Sequence, residues 1–336
     1  MSTATHVPET MSFARDELSA DDARATLRHT GIRHLFVDAF RRMRFGDGFS
    51  STRALAFQFV LSLIPLLIAF VGLASTIQAE KLAQALRQTV LSITPGGESD
   101  AFKQVLTKGL AEGGGGGRIA LFGGLLVALA SLTTAMGQIE RGANRLYGIQ
   151  RDRPSRQKYS RAALLVLTGG IPAMLGFVVI VAGGALVEAL QSAYGWGETT
   201  GTVLQWLRWP AGVLLCVVAV TALFRWAPRR RQPGFSWLAF GAAVALVLWL
   251  VFTGGLAYYI QRSSSFGDVY GPLTGIIALL IWSQLTSLSL FFGVAFSAQL
   301  EAVRAGVPSP VAIDPEASPQ ARTEQTVVIR PEPSRP

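Results

Sequence analysis

Charge is scarce in this sequence: only 15% of its 336 residues are Asp, Glu, Lys or Arg, against roughly a quarter in an ordinary soluble chain. Cysteine is nearly missing. Cys216 stands alone, which excludes an intrachain disulfide and a cysteine-based metal cluster. The three histidines, His6, His29 and His34, lie near the N-terminus with no HxHxDH or HExxH spacing, so a metal-dependent nuclease or protease lacks its ligands. No Gly-x-Ser-x-Gly elbow is present, and no triad follows. The five glycines at 113–117 are followed by Arg118-Ile119 rather than Lys-Ser or Lys-Thr, so they read as a flexible hinge and not a phosphate loop. No catalytic residue, cofactor or metal is expected. The first 30 residues are polar and lack an apolar h-region, so no cleavable signal peptide is expected.

What the sequence has in excess is apolar surface in long runs. Half of the residues are hydrophobic and the mean hydropathy is +0.39. Several runs hold about 20 residues with hardly any charge, the length an α-helix needs to cross roughly 30 Å of hydrocarbon. Continuous runs predict helices; a transmembrane barrel needs short alternating segments. The expected fold is all-α with six spans near residues 54–77, 119–138, 162–188, 202–226, 237–260 and 273–300. Between the first two spans, the stripes Leu82, Leu86, Val90, Ile93 and Phe102, Val105, Leu106, Leu110 carry too much charge to cross. They predict a small helical cap outside the bilayer.

Residues 1–30 form a polar, mobile N-terminal segment, 31–304 the membrane domain, and 305–336 a proline-rich tail with little to bury. Ile32, Leu35, Phe36, Ala39, Phe40 and Met43 recur at helical spacing, with Arg33, Arg41, Arg42 and Arg44 between them. That pattern predicts an amphipathic basic helix lying on an anionic membrane surface, with an ordinary packed helix as the alternative.

The net charge of +9 reports topology rather than nucleic acid. Eight arginines precede or open the first span, and seven basic residues (Arg141, Arg145, Arg151, Arg153, Arg156, Lys158, Arg161) flank the loop between spans two and three. Arg225, Arg229, Arg230 and Arg231 join spans four and five, and four more arginines lie from Arg304 onward. Together these are 23 of the 30 basic residues. The excess of positive charge marks one side as cytoplasmic and places both termini there. Arg41, Arg42, Arg44, Arg151, Arg153, Arg156, Arg229, Arg230 and Arg231 are thereby expected to meet anionic lipid headgroups.

Polar residues inside the spans are the next candidates, because lipid penalises an unpaired polar group. Gln58 and Ser62 lie in span one beside Pro65, Gln138 and Glu140 end span two, and Gln284 lies in span six between Ser283 and Ser287. Opposite directions of travel put Gln58 and Gln138 at similar depth. The glutamines either line a polar cavity or hydrogen-bond helix to helix. Glu140, Glu188 and Glu301 fall at span ends, where water is expected to reach them, so a proton relay through buried carboxylates is not supported. Pro65, Gly169-Gly170 with Pro172, Gly183-Gly184, Pro210, Gly254-Gly255 and Gly271-Pro272 interrupt the spans, as hinges or as close packing sites.

Specific residues resemble a known family. Ala56-Phe57 with Ser62-Leu63-Ile64-Pro65-Leu66 is similar to the first-span signature of the YihY/virulence factor BrkB family. Ala143-Asn144-Arg145-Leu146-Tyr147, Trp209-Pro210, and Leu223-Phe224-Arg225-Trp226-Ala227-Pro228-Arg229-Arg230 resemble later segments. The fullest match is Phe266-Gly267-Asp268-Val269-Tyr270-Gly271-Pro272-Leu273, running into Ile281-Trp282 and Gly293. On this resemblance Asn144, Asp268, Tyr270 and Pro272 join the candidate interhelical residues. The sequence departs at Gln58, usually aromatic in the family, and at Ala295, where the family carries an acid. The resemblance implies a multi-pass protein of the bacterial cytoplasmic membrane, with some members linked to serum resistance or envelope lipid export. An older ribonuclease label for the family conflicts with the missing ligands above.

Three function classes follow. The first is a transporter, exporter or flippase for an envelope lipid or amphipathic anion. The second is a non-catalytic membrane scaffold, in which the loop at 151–161 or the tail holds a protein partner or a second copy of the chain. A membrane enzyme ranks last, for want of a catalytic constellation.

Overall fold

In a computed structural model, described for residues 6–7, 19–76, 115–149, 152–194, 198–262, 273–306 and 310, every regular element among the described residues is helical. Two short helices, α1 (Ala20–Thr30) and α2 (Ile32–Phe45), precede the long helix α3 (Gly48–Thr76). Then follow α4 (Gly115–Leu146) and α5 (Ser155–Leu165), which runs through a π-helical turn, Val166–Gly170, into α6 (Ile171–Tyr194). The last three are α7 (Glu198–Trp226), α8 (Phe235–Arg262) and α9 (Thr274–Arg304). Among the described residues, four segments are long and apolar enough to cross a membrane: Phe122–Leu146, Thr199–Trp226, Phe235–Arg262 and Thr274–Arg304.

The long helices neighbour one another in a closed order. α3 lies on α4, α4 on α5 and the π turn, α6 on α7, α7 on α8, α8 on α9, and α9 on α3. Their outward surfaces keep Phe57, Leu126, Leu167, Leu214, Val247 and Val251 exposed, as expected of side chains that face lipid rather than water. Trp206 and Trp209 on α7 and Tyr258 and Tyr259 on α8 are exposed toward one end, with Trp226 and Phe235 toward the other. Trp206 and Trp226 stand twenty residues apart, about 30 Å at 1.5 Å per residue, which is the thickness of a hydrocarbon core. Such rings mark the two membrane–water interfaces.

Glycine sets how closely the helices approach. At the α8–α9 crossing, a Cβ on Gly241 would stand 2.6 Å from the Gly293 carbonyl oxygen, and one on Gly293 the same distance from that of Gly241. At the α6–α7 crossing, Gly176 and Gly212 each place a hypothetical Cβ 3.2 Å from the other's carbonyl oxygen. Lipid offers no hydrophobic drive between apolar helices, so backbone proximity and van der Waals contact hold such seams.

Several expectations change. Residues 20–30 are a helix rather than a mobile segment, started by a capping box in which Ser19 and Asp22 exchange hydrogen bonds and satisfy two exposed N–H groups. Gly115–Gly117 open α4 instead of forming a hinge. Helix α2 is packed rather than merely resting on a membrane: Leu35, Ala39 and Met43 are buried, and the Phe36 ring lies 5.5 Å from Phe292 and 5.4 Å from Phe296 of α9. Pro65 and Pro210 sit within continuous helices. The break expected at Gly169-Gly170 is the π turn, where a Cβ on Gly169 would lie 2.5 Å from Leu223 of α7. The helical stripes of the proposed cap and nearly all of the proline-rich tail lie outside the described residues.

Substituting Gly241→Leu should lower stability by about 1–3 kcal/mol through overpacking, read as a drop in the thermal midpoint of the detergent-solubilised protein. Gly254→Leu, whose Cβ would meet nothing within 4 Å, should leave that midpoint nearly unchanged.

Candidate functional site: a buried charge cluster at one end of the bundle

The C-terminal ends of α4, α7 and α9 meet the N-terminal ends of α3, α5 and α8, with α2 beside them. Here the chain buries charge. Glu140 on α4 and Glu301 on α9 are 0% exposed. Arg153, in the turn before α5, reaches Glu140 with Nη1 2.8 Å from Oε1 and donates to the Ala227 and Pro228 carbonyls after α7, each at 3.0 Å. Arg230, in the turn between α7 and α8, pairs with Glu301 and lies over the Tyr147 ring, 4.7 Å from its centroid. Arg42 of α2 is 1% exposed. Its Nε donates to Gln299 of α9 at 3.0 Å, and its Nη1 to the Leu146 carbonyl at the end of α4 at 3.2 Å.

Asn144 joins the turns. Buried on α4, it accepts from the Arg229 N–H at 2.7 Å and donates to Asp152 at 3.4 Å. Asp152 also meets Arg141 at 3.3 Å and Lys158 at 3.6 Å. Helices α2, α4, α5 and α9 and the turns before α5 and after α7 therefore each send a side chain or backbone group into this polar cluster. Removing one partner of a buried ion pair strands the other in low dielectric, at a cost of about 3–5 kcal/mol.

Ionisation follows from that burial. Desolvation pushes the Arg42 guanidinium down to about 10, opposed by Tyr147, Glu301 and Asp38, so it remains charged near neutral pH. Burial, then the Glu301 charge, hold the Tyr147 hydroxyl well above the usual phenol range. Partial burial tends to raise the Asp152 carboxyl, but the Asn144 hydrogen bond and the charges of Lys158 and Arg141 hold it below its ordinary 3.8.

The expected headgroup arginines divide into two sets. Arg42, Arg153 and Arg230 turn into the protein and are corrected to structural ion partners. Arg41, Arg44, Arg156, Arg229 and Arg231 keep exposed surface, and Arg151 lies outside the described residues. Arg41 pairs with Asp38 at 3.2 Å, and the Arg229 guanidinium donates to the Asp152 carbonyl at 2.9 Å. The expectation that water reaches Glu140 and Glu301 is also overturned. One sequence signal pointed to them: a lone carboxylate on a long apolar helix needs a cation, and the flanking turns are rich in arginine.

The expected intramembrane residues are not gathered in the same way. Gln58 donates to the Ser131 carbonyl of α4 at 3.2 Å, the helix-to-helix role. Ser62 is buried and returns its hydroxyl to the Gln58 carbonyl of its own helix at 2.8 Å. The approach of Gly142 to Ser51 sets Gln58 opposite Ala135, about one turn short of Gln138. Pro65 is buried, while Gln138 and Gln284 are half-buried. Asp268, Tyr270 and Pro272 lie outside the described residues. Ala295, the position of the expected acid, is fully buried in α9.

Compared with known proteins, residues 39–315 match the model of the virulence factor BrkB family. The chain belongs to that family. It is 22% identical to YfkH of Bacillus subtilis (strain 168), named as ribonuclease-like, over 78% of this chain and 94% of YfkH. It is 26% identical to a UPF0761 membrane protein of Halorhodospira halophila, over 88% of this chain and 64% of that protein, somewhat under two thirds of its length. A UPF0761 membrane protein of Alteromonas mediterranea is also 26% identical, over 80% and 88% of the two chains. No solved structure matches. This BrkB-family chain is thus a membrane protein, with its charge cluster formed by segments inside the matched region.

Arg230→Gln should cost about 3–5 kcal/mol, and the double substitution R230Q/E301Q should cost less than the two single losses combined; chemical denaturation in detergent measures both. Asp152→Asn tests the pH linkage. Because the folded carboxyl titrates below its unfolded value, its contribution is present above the ordinary carboxylate range and fades as pH falls through it. The thermal midpoints of wild type and D152N should therefore differ near neutrality and converge in acid.

Proposed function

We propose that this protein is a transporter of flippase type, moving an anionic lipid or amphipathic anion across the bacterial cytoplasmic membrane. In this reading it has six spans and both termini are cytoplasmic. The four segments named above are joined by α3, 29 residues long, and α6, 24 residues long, each of sufficient length. The observation that carries the reading is the pair of buried ion bridges, Arg153–Glu140 and Arg230–Glu301, closing one end of a helix ring whose rim carries exposed arginines. Buried charges on membrane helices favour function over simple packing. A rim of arginine draws anionic headgroups electrostatically. Ion pairs between a helix and a neighbouring turn form a gate that can part without breaking the helices, and the π turn beside α7 is a place where the α5–α6 rod can flex.

The cytoplasmic placement is tested by cysteine labelling after Cys216→Ala. Thr200→Cys should react with a membrane-impermeant maleimide in intact cells, whereas Gln157→Cys should react only after permeabilisation. The reverse pattern would invert the topology.

Transport is tested in liposomes with fluorescent phosphatidylglycerol and an external quencher. The purified protein should speed exchange between leaflets. The E140Q/R153Q double substitution removes a gate bridge without stranding a charge, and should raise the rate roughly tenfold, the change that about 1.4 kcal/mol makes. Exchange no faster than in protein-free liposomes would sink the transport reading and leave the scaffold class.

A further inference from the structure

The charged end is not the only place where a cation lies in a seam between long apolar helices; half-buried Arg208 is another. Arg208 lies on α7 between Trp206 and Trp209, eighteen residues from Trp226. That is about 27 Å along the axis, at the opposite membrane interface. A cation there could simply reach outward to water beside its own helix. This one turns sideways into the seam with α6. A Cβ on Gly184 would stand 2.3 Å from the Arg208 Nη1, and one on Gly183 would stand 3.3 Å from its Cδ. The glycine pair therefore leaves the space that the guanidinium fills.

The same guanidinium lies 5.3 Å from the Trp209 ring centroid. Its Nε is shielded from solvent and has no hydrogen-bond partner. A shielded guanidinium donor without an acceptor is costly, and a phosphate oxygen entering the seam would relieve that cost. The rest of the seam matches such a visitor. Trp206 is 76% exposed and Trp209 47%, at the depth where amphipathic rings settle among headgroups. The guanidinium fork suits a phosphate geometrically as well as electrostatically.

We infer that the α6–α7 seam at this end is a binding site for the phosphate of a phospholipid headgroup, with Arg208 as its ligand and Gly183-Gly184 as its floor. Trp206 and Trp209 flank the lipid's glycerol region. The inference rests on the lipid-handling reading above for the nature of the ligand, and it adds a second contact point at the end opposite the ion-pair gate.

The test uses the full-length protein in lipid-free detergent, titrated with dihexanoylphosphatidylglycerol and, separately, with inorganic phosphate. Binding is followed by the rise in thermal midpoint. The lipid should stabilise the wild type saturably. Arg208→Gln should raise the apparent dissociation constant about tenfold, as expected for a lost charge-assisted contact, and Arg208→Lys should fall between, because a point charge replaces the fork. Gly184→Ala keeps the charge but fills its floor, and should weaken binding in the same direction if R208Q fails to fold.

Equal dissociation constants in wild type, R208Q and G184A would overturn the site. Inorganic phosphate binding as tightly as the lipid would overturn the assignment to a headgroup. The liposome assay separates the two readings. Arg208-dependent lipid binding without any translocation would sink transport alone, whereas intact translocation with binding indifferent to Arg208 would sink this site alone.

Discussion

A charge enclosed by apolar helices must bring its counter-charge with it, and in this protein that requirement fixes one whole end of the bundle. Glu301 sits in the most enclosed stretch of α9, where the residues from Gly293 to Ala302 are buried on every face. Arg230 reaches it from the turn between α7 and α8. Arg153 and Glu140 tie the start of α5 to α4 by the same logic. Arg42 then fastens α2 to α4 and α9 through neutral acceptors, the Leu146 carbonyl and the Gln299 amide. Such pairs contribute less net stability than their geometry suggests, because desolvation offsets attraction. A helix that shifted by one turn would strand one of these charges.

The middle of the bundle is held by different means. Glycines at Gly241, Gly293, Gly176 and Gly212 let backbones approach until carbonyl oxygens meet the space a Cβ would occupy. These contacts bring backbone atoms together over a short range. They hold the helices by close packing, whereas the charged end is held by ion pairs.

The candidate site was legible in part. Arg42, Arg153 and Arg230 were visible as members of basic runs, and Glu140 and Glu301 as carboxylates near the ends of apolar runs. Each fits a surface role when read alone, because linear sequence does not show which turns converge. Asn144 is marked only by a resemblance, yet it receives the Arg229 N–H and so ties α4 to the turn between α7 and α8, 85 positions along the chain. Gln58 fits either cavity lining or packing on its sequence position, and the structure gives it the Ser131 carbonyl.

By itself the sequence determined that this is an all-helical membrane protein, because runs of about 20 apolar residues admit no other spanning form. It also set where the charges stand along the chain. Tertiary structure alone decided which charges face water and which face one another. Burial depends on neighbours brought in from distant turns, and the energy of a charge depends on the dielectric that those neighbours create.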